Sequence, residues 1–214
     1  MRGRVSVSGL TRRVRLGTAV VVIAGHLRAS FFHYVRFLLN GTRAIREVEA
    51  TLGATPGESV LDLGCGCGWM CRAVPGSYLG IDQDPDYIRF ARWRWGSPRR
   101  RFETLRLEDL PVDARFDGAV MASVLHHLSD AEVNDVLGRL AGMVGRRLVV
   151  LDLDPEQSRG IQSCFLAHDR GGYIRTAAQQ RALLERHFRV VEQRGFRNTT
   201  HLGVHTLFAC EPGR

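Results

Sequence analysis

Three glycines at alternate positions, directly after a short apolar run, restrict the possible folds of this chain more than any other feature. Residues 59–63 form a near-continuous apolar run, which is typical of a strand buried inside a parallel sheet. Gly64, Gly66 and Gly68 follow at once. Glycines in such a turn let the backbone approach a ligand closely. The sequence therefore predicts a strand, a ligand-binding turn and a helix in that order.

The rest of the chain alternates predicted strands and helices. Such alternation implies right-handed crossovers and a mostly parallel sheet with helices on both faces. The last two strands have no helix between them, which favours an antiparallel hairpin at one edge. The predicted fold is thus α/β, with a mostly parallel seven-stranded sheet, an antiparallel edge strand and additional N-terminal helices. Strands are predicted at 59–63, 78–81, 101–105, 117–121, 147–152, 188–193 and 206–210, and helices at 18–39, from Thr42 to about 52, and at 69–74, 85–95, 130–143, 155–167 and 176–187.

Local signals mark the start of two of these helices. Asp84 is a typical N-cap residue, and Pro85 is suited to the first helical position. Ser129 and Glu132 have the spacing of a capping box. We expect both helices to begin at these residues.

Two aspartates accompany the glycine turn. Asp62 stands before Gly64, and Asp82 ends the second predicted strand. A dinucleotide-binding turn of the form G-x-G-x-x-G that began at Gly64 would have its last glycine where the chain has Trp69. An acid at the end of the second strand can accept hydrogen bonds from both hydroxyls of a ribose. The pattern D-x-G-x-G-x-G with a strand-end acid therefore indicates a nucleoside site of another kind.

This pattern resembles motif I of the class I S-adenosylmethionine-dependent methyltransferases, which have a Rossmann-like fold. Residues 115–130 resemble the fourth-strand motif of the small-molecule type 11 and 12 group, and the likeness covers about residues 58–155. It implies S-adenosylmethionine as the cofactor, which suits Asp62, because a carboxylate favours a cationic sulfonium over a pyrophosphate. Arg106 stands where such proteins often have an adenine-binding aspartate, so either Glu108 serves the adenine or the register differs by two. The predicted cofactor-binding residues are Asp62, Gly64, Cys65, Gly66, Gly68, Asp82, Gln83, Glu108, Met121 and Ala122.

Candidate catalytic groups follow the fourth and fifth strands. Methyl transfer to a hydroxyl needs a base, and histidine is the usual one near neutral pH. The predicted catalytic residues are His126, His127, Asp169 and Tyr173. Asp169, Tyr173 and Arg175 belong to one segment after the fifth strand, and we expect these three to be polar contacts to the acceptor. Two other interpretations stay open, a histidine pair without a catalytic role and a glycine turn with solvated charges.

The cysteines do not indicate a metal site. Cys65, Cys67 and Cys71 have a C-x-C-x₃-C spacing, which does not fit a zinc ribbon or the loop of a radical enzyme. We expect them to be small residues packed in a tight turn, with no metal. The five cysteines form no regular framework, which favours the reducing cytoplasm.

The net charge of +8 is concentrated at one end of the chain. Residues 1–50 hold nine arginines against two glutamates, whereas the remaining residues are nearly balanced. Because the predicted catalytic body lacks clustered basic charge, the sequence argues against a nucleic-acid partner. Residues 11–16 resemble a twin-arginine export signal, but no small-x-small cleavage site follows. We therefore predict a basic and apolar leader helix at 1–41 and a methyltransferase domain at 42–214.

The resemblance predicts an enzyme that transfers a methyl group from S-adenosylmethionine to a small-molecule acceptor, with oxygen as the first choice of acceptor atom. One alternative is an RNA methyltransferase that uses the basic N-terminal segment. Another is a non-catalytic cofactor-fold protein that binds a partner through the leader helix. A weak membrane contact through aromatic residues of that helix is compatible with the sequence, and so are a monomer and a homodimer.

Overall fold

A computed structural model of the protein describes residues 24–25, 27–31, 34, 42–155, 172–197 and 204–213. The strands are β1 (Ser59–Leu63), β2 (Ser77–Asp82), β3 (Arg100–Thr104), β4 (Phe116–Ala122), β5 (Val144–Leu153), β6 (Phe188–Arg197) and β7 (Val204–Pro212). The α-helices from residue 42 onward are α1 (Arg43–Leu52), α2 (Pro85–Trp95), α3 (Asp130–Met143) and α4 (Ala177–Leu184). Short 3₁₀ helices span Trp69–Ala73, Leu107–Asp109 and Leu125–His127.

The strands form one seven-stranded sheet in the order β3-β2-β1-β4-β5-β7-β6. β1 to β5 are paired in parallel. β7 is antiparallel to both of its neighbours, so the hairpin of β6 and β7 completes one edge of the sheet. The predicted fold class, a mostly parallel sheet with helices on both faces and an antiparallel hairpin at its edge, is confirmed.

The order of the strands places the glycine turn at the centre of the sheet. β1 lies between β2 and β4, and Leu63 at its carboxyl end pairs with Ile81 on one side and Met121 on the other. The strand order reverses at this point, because the chain passes from β1 to β2 and β3 on one side and then crosses to β4 on the other side. In open parallel sheets this reversal opens a crevice at the carboxyl ends of the strands, where ligands bind.

Apolar side chains from alternate positions of each strand fill two cores. Val60 of β1 packs into a core with α1, α2 and the turn at 69–73. Leu61, the next residue, packs into the opposite core with α3 and α4. This alternation follows from the two-residue repeat of a strand. It also explains why the consecutive residues Val60 and Leu61 are both apolar.

The helix starts follow the local signals in the sequence. The Asp84 carboxylate accepts hydrogen bonds from the backbone of Asp86 and Tyr87 and caps α2, as predicted. Ser129 and Glu132 form the predicted capping box of α3. Thr42 precedes α1 as predicted, but its side chain makes no capping hydrogen bond, because its backbone is already in the α region.

A helical segment before α1 lies against the start of α2. The described residues between 24 and 34 are helical, in agreement with the prediction for 18–39. Arg28 forms ion pairs with Asp84 and Asp86 at 2.8 and 3.1 Å. Ala29 is fully buried beside Cys67 of the glycine turn. None of the helices within the described ranges is both long and apolar enough to span a bilayer. The helix predicted at 155–167 lies outside the described residues, apart from its first position.

Candidate functional site

The glycine turn requires glycine at its first and third positions for two reasons. Gly64 and Gly68 have φ angles of 69° and 78°, in the left-handed region that L side chains rarely adopt. A Cβ on Gly64 would lie 2.6 Å from Cγ2 of Val124, and one on Gly68 would lie 2.6 Å from Cε1 of Phe102. Gly66 has a φ of 51° but open space around it. The turn can therefore approach Val124, just after β4, and Phe102 of β3 closely only with these glycines.

Asp82 joins the glycine turn to the start of α2. Its Oδ2 accepts a hydrogen bond from the backbone N–H of Gly66 at 2.8 Å, and its Oδ1 accepts one from that of Asp84 at 2.8 Å. Burial raises the pKa of Asp82 above its usual value, although these backbone bonds act in the opposite direction. The carboxylate is thus held in one orientation at the end of β2.

A cavity of about 340 Å³ opens beside Asp82. Five of the predicted site residues line it, namely Gly64, Asp82, Gln83, Glu108 and His127. Its apolar wall can cover the face of a base, while the Asp82 carboxylate can accept hydrogen bonds from ribose hydroxyls. The residues present therefore fit a nucleoside. The apolar wall, which the sequence analysis did not assign, consists of Leu63, Ile81, Leu105, Leu107, Val124, Leu128 and Val136.

Glu108 lines this cavity, together with Arg106, the arginine that stands where the family often has an aspartate. Arg106 donates a hydrogen bond from Nη1 to Oε1 of Glu108 at 2.8 Å, and both side chains are largely exposed. Leu107, between them, is buried and faces the cavity.

The other predicted cofactor residues are not among the described residues that line the cavity. Asp62 is buried, and its Oδ2 accepts a hydrogen bond from the hydroxyl of Tyr78 at 2.5 Å. Burial is the main cause that raises the pKa of Tyr78, and the negative charge of Asp62 adds to it. Met121 is fully buried in the sheet, and Ala122 ends β4. Of the glycine-turn residues, Cys65, Gly66 and Gly68 are outside the described lining of the cavity.

The two predicted catalytic histidines have different surroundings. His126 is buried, and its Nδ1 lies 2.5 Å from Oδ1 of Asp152 at the end of β5. The backbone N–H of His126 donates to Oδ2 of the same carboxylate at 3.2 Å. His127 is exposed at the cavity, and the centroids of the two rings are 4.1 Å apart. The structure thus brings both histidines near the cavity but pairs only His126 with Asp152.

The segment after β5 is described only in part. Asp169 lies outside the described residues. The side chain of Tyr173 is about half exposed, and its backbone N–H donates to the carbonyl of His126 at 3.1 Å. Arg175, which the sequence analysis assigned to the acceptor, is buried and instead donates to backbone carbonyls around the histidines.

The cysteines of the glycine turn are packed thiols. Cys65, Cys67 and Cys71 are buried, and none of them forms a disulfide with another described residue. Burial raises the pKa of Cys65 well above its usual value and that of Cys71 to about 12. Within the described ranges, no three His, Cys, Asp or Glu side chains are grouped so that they could hold a metal ion.

Comparison with known proteins agrees with this geometry. Residues 60–146 match the family described as Methyltransferase domain. The O-methyltransferase cnsE of Penicillium expansum is 34% identical to the chain over 124 residues, which are 53% of this chain and 44% of the relative. The chain thus spans less than half the length of this curated relative.

Two solved structures share the fold. Magnesium protoporphyrin IX methyltransferase from Synechocystis PCC 6803, with bound S-adenosylmethionine, has a TM-score of 0.61 and 21% identity, covering 80% of this chain and 79% of that one. A chain in the complex between the Trm112 methyltransferase activator and a putative methyltransferase of Haloferax volcanii has a TM-score of 0.71 and 17% identity, covering 89% and 96%. Residues 60–146 are thus similar to a methyltransferase domain, and the chain shares the Rossmann-like fold of these solved methyltransferase structures.

Proposed function

We propose that the protein transfers a methyl group from S-adenosylmethionine to an oxygen atom of a small molecule. The observation that carries this proposal is the Asp82 carboxylate, fixed by the Gly66 amide at the mouth of a nucleoside-sized cavity. The match of residues 60–146 to a methyltransferase domain supports the reaction class. The likeness to an O-methyltransferase over about half of the chain supports oxygen as the acceptor atom.

Different residues of the site bind different parts of the cofactor. Asp82 accepts hydrogen bonds from the two ribose hydroxyls, as an acid at this place can. Gln83 and Glu108 flank the adenine, whose faces lie against the apolar wall. The backbone at Met121 and Ala122, where β4 ends, lines the methionine portion. When bound, the cofactor supplies an electrophilic methyl group on a sulfonium.

Asp62 acts on this site through charge. Its side chain is held by Tyr78 beneath the glycine turn, behind the backbone that faces the ligand. A negative charge in a poorly solvated position exerts a stronger field than an exposed one. It favours a cationic sulfonium and disfavours a pyrophosphate at the same turn.

The acceptor hydroxyl loses a proton, and His126 with Asp152 is the pair that can take it. The short contact between Nδ1 and the carboxylate fixes the ring orientation and places the proton on Nδ1. Nε2 is then the basic atom. The exposed His127 provides a second candidate at the cavity. Much of the catalysis comes from holding the acceptor in line with the methyl group.

The test is transfer of a radiolabelled methyl group to a panel of phenols, enols and carboxylates, with bulk RNA as a comparison. We expect label in a small molecule. For the acceptor found, we expect His126→Gln to lower kcat by roughly 100-fold or more, a much larger loss than its effect on the affinity for S-adenosylhomocysteine. His187→Gln is the matched control, because that imidazole bonds Asn134 away from the cavity. Label in RNA alone, or no binding of S-adenosylhomocysteine, would overturn the proposal.

A further inference from the structure

We propose that Arg175 is a positioning residue for cofactor binding, although it does not line the cofactor cavity. Its guanidinium holds the turn formed by residues 124–128, and that turn is one wall of the cavity. The inference rests on the proposed function in one respect, that this cavity receives the adenosyl group of the cofactor.

All the donors of the Arg175 side chain are used inside the protein. Nε and Nη2 donate to Oδ1 of Asp130 at 2.8 and 2.6 Å. Nη1 donates to the carbonyls of Leu125 and Tyr173 at 2.7 and 3.1 Å, and Nη2 also donates to that of Leu128 at 2.7 Å. A guanidinium has five N–H donors in a rigid fork, so this geometry satisfies each of them. Arg175 is therefore not available to an acceptor.

The burial of Arg175 shows that its position is specific. Its side chain is only 7% exposed, whereas that of Asp130, its ion-pair partner, is 72% exposed. Removing a cation from water costs free energy unless its hydrogen bonds are replaced. Three backbone carbonyls and one carboxylate replace them here. A lysine has a single compact ammonium and cannot reach the same set of acceptors.

The turn held by Arg175 faces the cofactor cavity. Val124, His127 and Leu128 all line the cavity. Val124 also packs directly on the Cα of Gly64, so the position of the turn sets the position of the glycine turn opposite. A displacement of a few tenths of an ångström in this wall would change the fit of an adenosyl group.

The same turn is held from two other directions. The Asp152 carboxylate binds both the backbone N–H and the ring of His126. The backbone N–H of Tyr173 donates to the carbonyl of His126. Arg175 thus belongs to a set of contacts that connects the segment after β5 to the histidine turn.

The test compares Arg175→Met and Arg175→Lys with the unaltered protein. The affinity of each for S-adenosylhomocysteine is measured by calorimetric titration at a temperature well below unfolding. We expect Arg175→Met to weaken binding about tenfold, within the range seen for residues that act on a site without touching the ligand. Arg175→Lys should recover little of the loss. Arg186→Met is the matched control, because Arg186 is exposed and lines the neighbouring cavity that Arg175 also borders. Its affinity should be unchanged.

A chemical rescue separates positioning from a purely structural role. Arg175→Ala leaves space for a small guanidinium, so millimolar ethylguanidinium should restore part of the affinity for S-adenosylhomocysteine. Unchanged affinity in Arg175→Met, with only a lower melting temperature, would overturn the inference. If the unaltered protein itself fails to bind S-adenosylhomocysteine, the proposed function fails instead. Asp130→Ala removes the exposed ion-pair partner and keeps the carbonyl bonds, and should weaken binding less than Arg175→Met.

Discussion

The hydroxyl of Tyr78 donates a hydrogen bond to Oδ2 of Asp62 at 2.5 Å, and both side chains are almost fully buried. Val60 and Tyr78 are directly paired on β1 and β2, so Asp62 is the diagonal neighbour of Tyr78 on the same face. This contact keeps a carboxylate beneath the glycine turn. The buried carboxylate of Asp62 thus has a hydrogen-bond donor supplied by the neighbouring strand.

Tyr78→Phe should destabilise the protein by about 2 kcal/mol, because a buried carboxylate then loses a hydrogen bond and gains nothing. Urea unfolding measures the change. Tyr173→Phe removes a half-exposed hydroxyl and should leave the free energy of unfolding nearly unchanged. Equal stability of both variants would contradict the proposed importance of the Asp62 contact.

Gly64→Ala should cost about 3 kcal/mol, since it combines a left-handed backbone with a clash against Val124. Gly66→Ala is the matched comparison, because its backbone is also left-handed but its surroundings are open, and it should cost only about 1 kcal/mol. The double variant Gly64→Ala with Val124→Ala removes the clash and should be more stable than Gly64→Ala alone. Thermal and urea unfolding measure the stabilities of the three variants. A different order of stability would show that packing against Val124 does not decide the cost at Gly64.

Asp82→Asn should weaken S-adenosylhomocysteine binding roughly 10- to 100-fold, because hydrogen bonds from the ribose to a charged acceptor are lost. Asp113→Asn, at an exposed loop position, serves as the control. The affinity of the unaltered protein should also fall as the pH is lowered, since protonation removes the acceptor. Burial raises the pKa of Asp82, so this fall begins at a higher pH than for an exposed aspartate. Asp82→Asn should lack that pH dependence, and titration calorimetry between pH 4 and about 8 tests both points.

Alkaline conditions should destabilise the fold through its buried thiols. Burial raises the pKa of Cys71 and of Cys210 to about 12, from an ordinary value of 9.0. The unfolded chain therefore loses these protons at a lower pH than the folded protein. The stabilisation is complete below pH 9.0 and is lost as the pH rises towards about 12. In this range each thiol lowers the free energy of unfolding by up to about 1.4 kcal/mol per pH unit.

Cys71→Ala and Cys210→Ala should each make the free energy of unfolding fall less steeply with pH in the alkaline range, whatever their effect on stability at neutral pH. Urea unfolding at a series of alkaline pH values measures it. A slope that neither substitution changes would show that other groups cause the alkaline loss.

Local features of the sequence predicted most of the fold. The limits of β1, and the starts of α2 and α3, agree with the sequence patterns, because the apolar run at 59–63 and the caps at Asp84 and Ser129 act within a few residues. The place of Asp82 at the end of the second strand followed from the strand pattern, whereas Glu108 was assigned through the resemblance, and both line one cavity.

Contacts between distant segments were not predictable in the same way. Nothing near Tyr78 in the sequence indicates that its hydroxyl meets Asp62, since that contact depends on the register of two strands. Arg175 was assigned to the acceptor because it belongs to the insert after the fifth strand. Apart from the carbonyl of Tyr173, its partners belong to residues 125–130, and the packing of α3 beside α4 brings them within reach. Similarly, the apolar wall at Val124 and Leu128 has no pattern that separates it from ordinary core.

The placement of β7 between β5 and β6 has a consequence for how the chain is made. β5 pairs with β4 on one side, but on the other it pairs with β7, which is synthesised after β6. While the intervening residues leave the ribosome, the nascent sheet carries β5 as an apolar, unsatisfied edge, which is the kind of surface that invites association with other chains. Closure of this non-local pairing is therefore late, and chaperone binding during translation should be concentrated on the interval before β7 emerges.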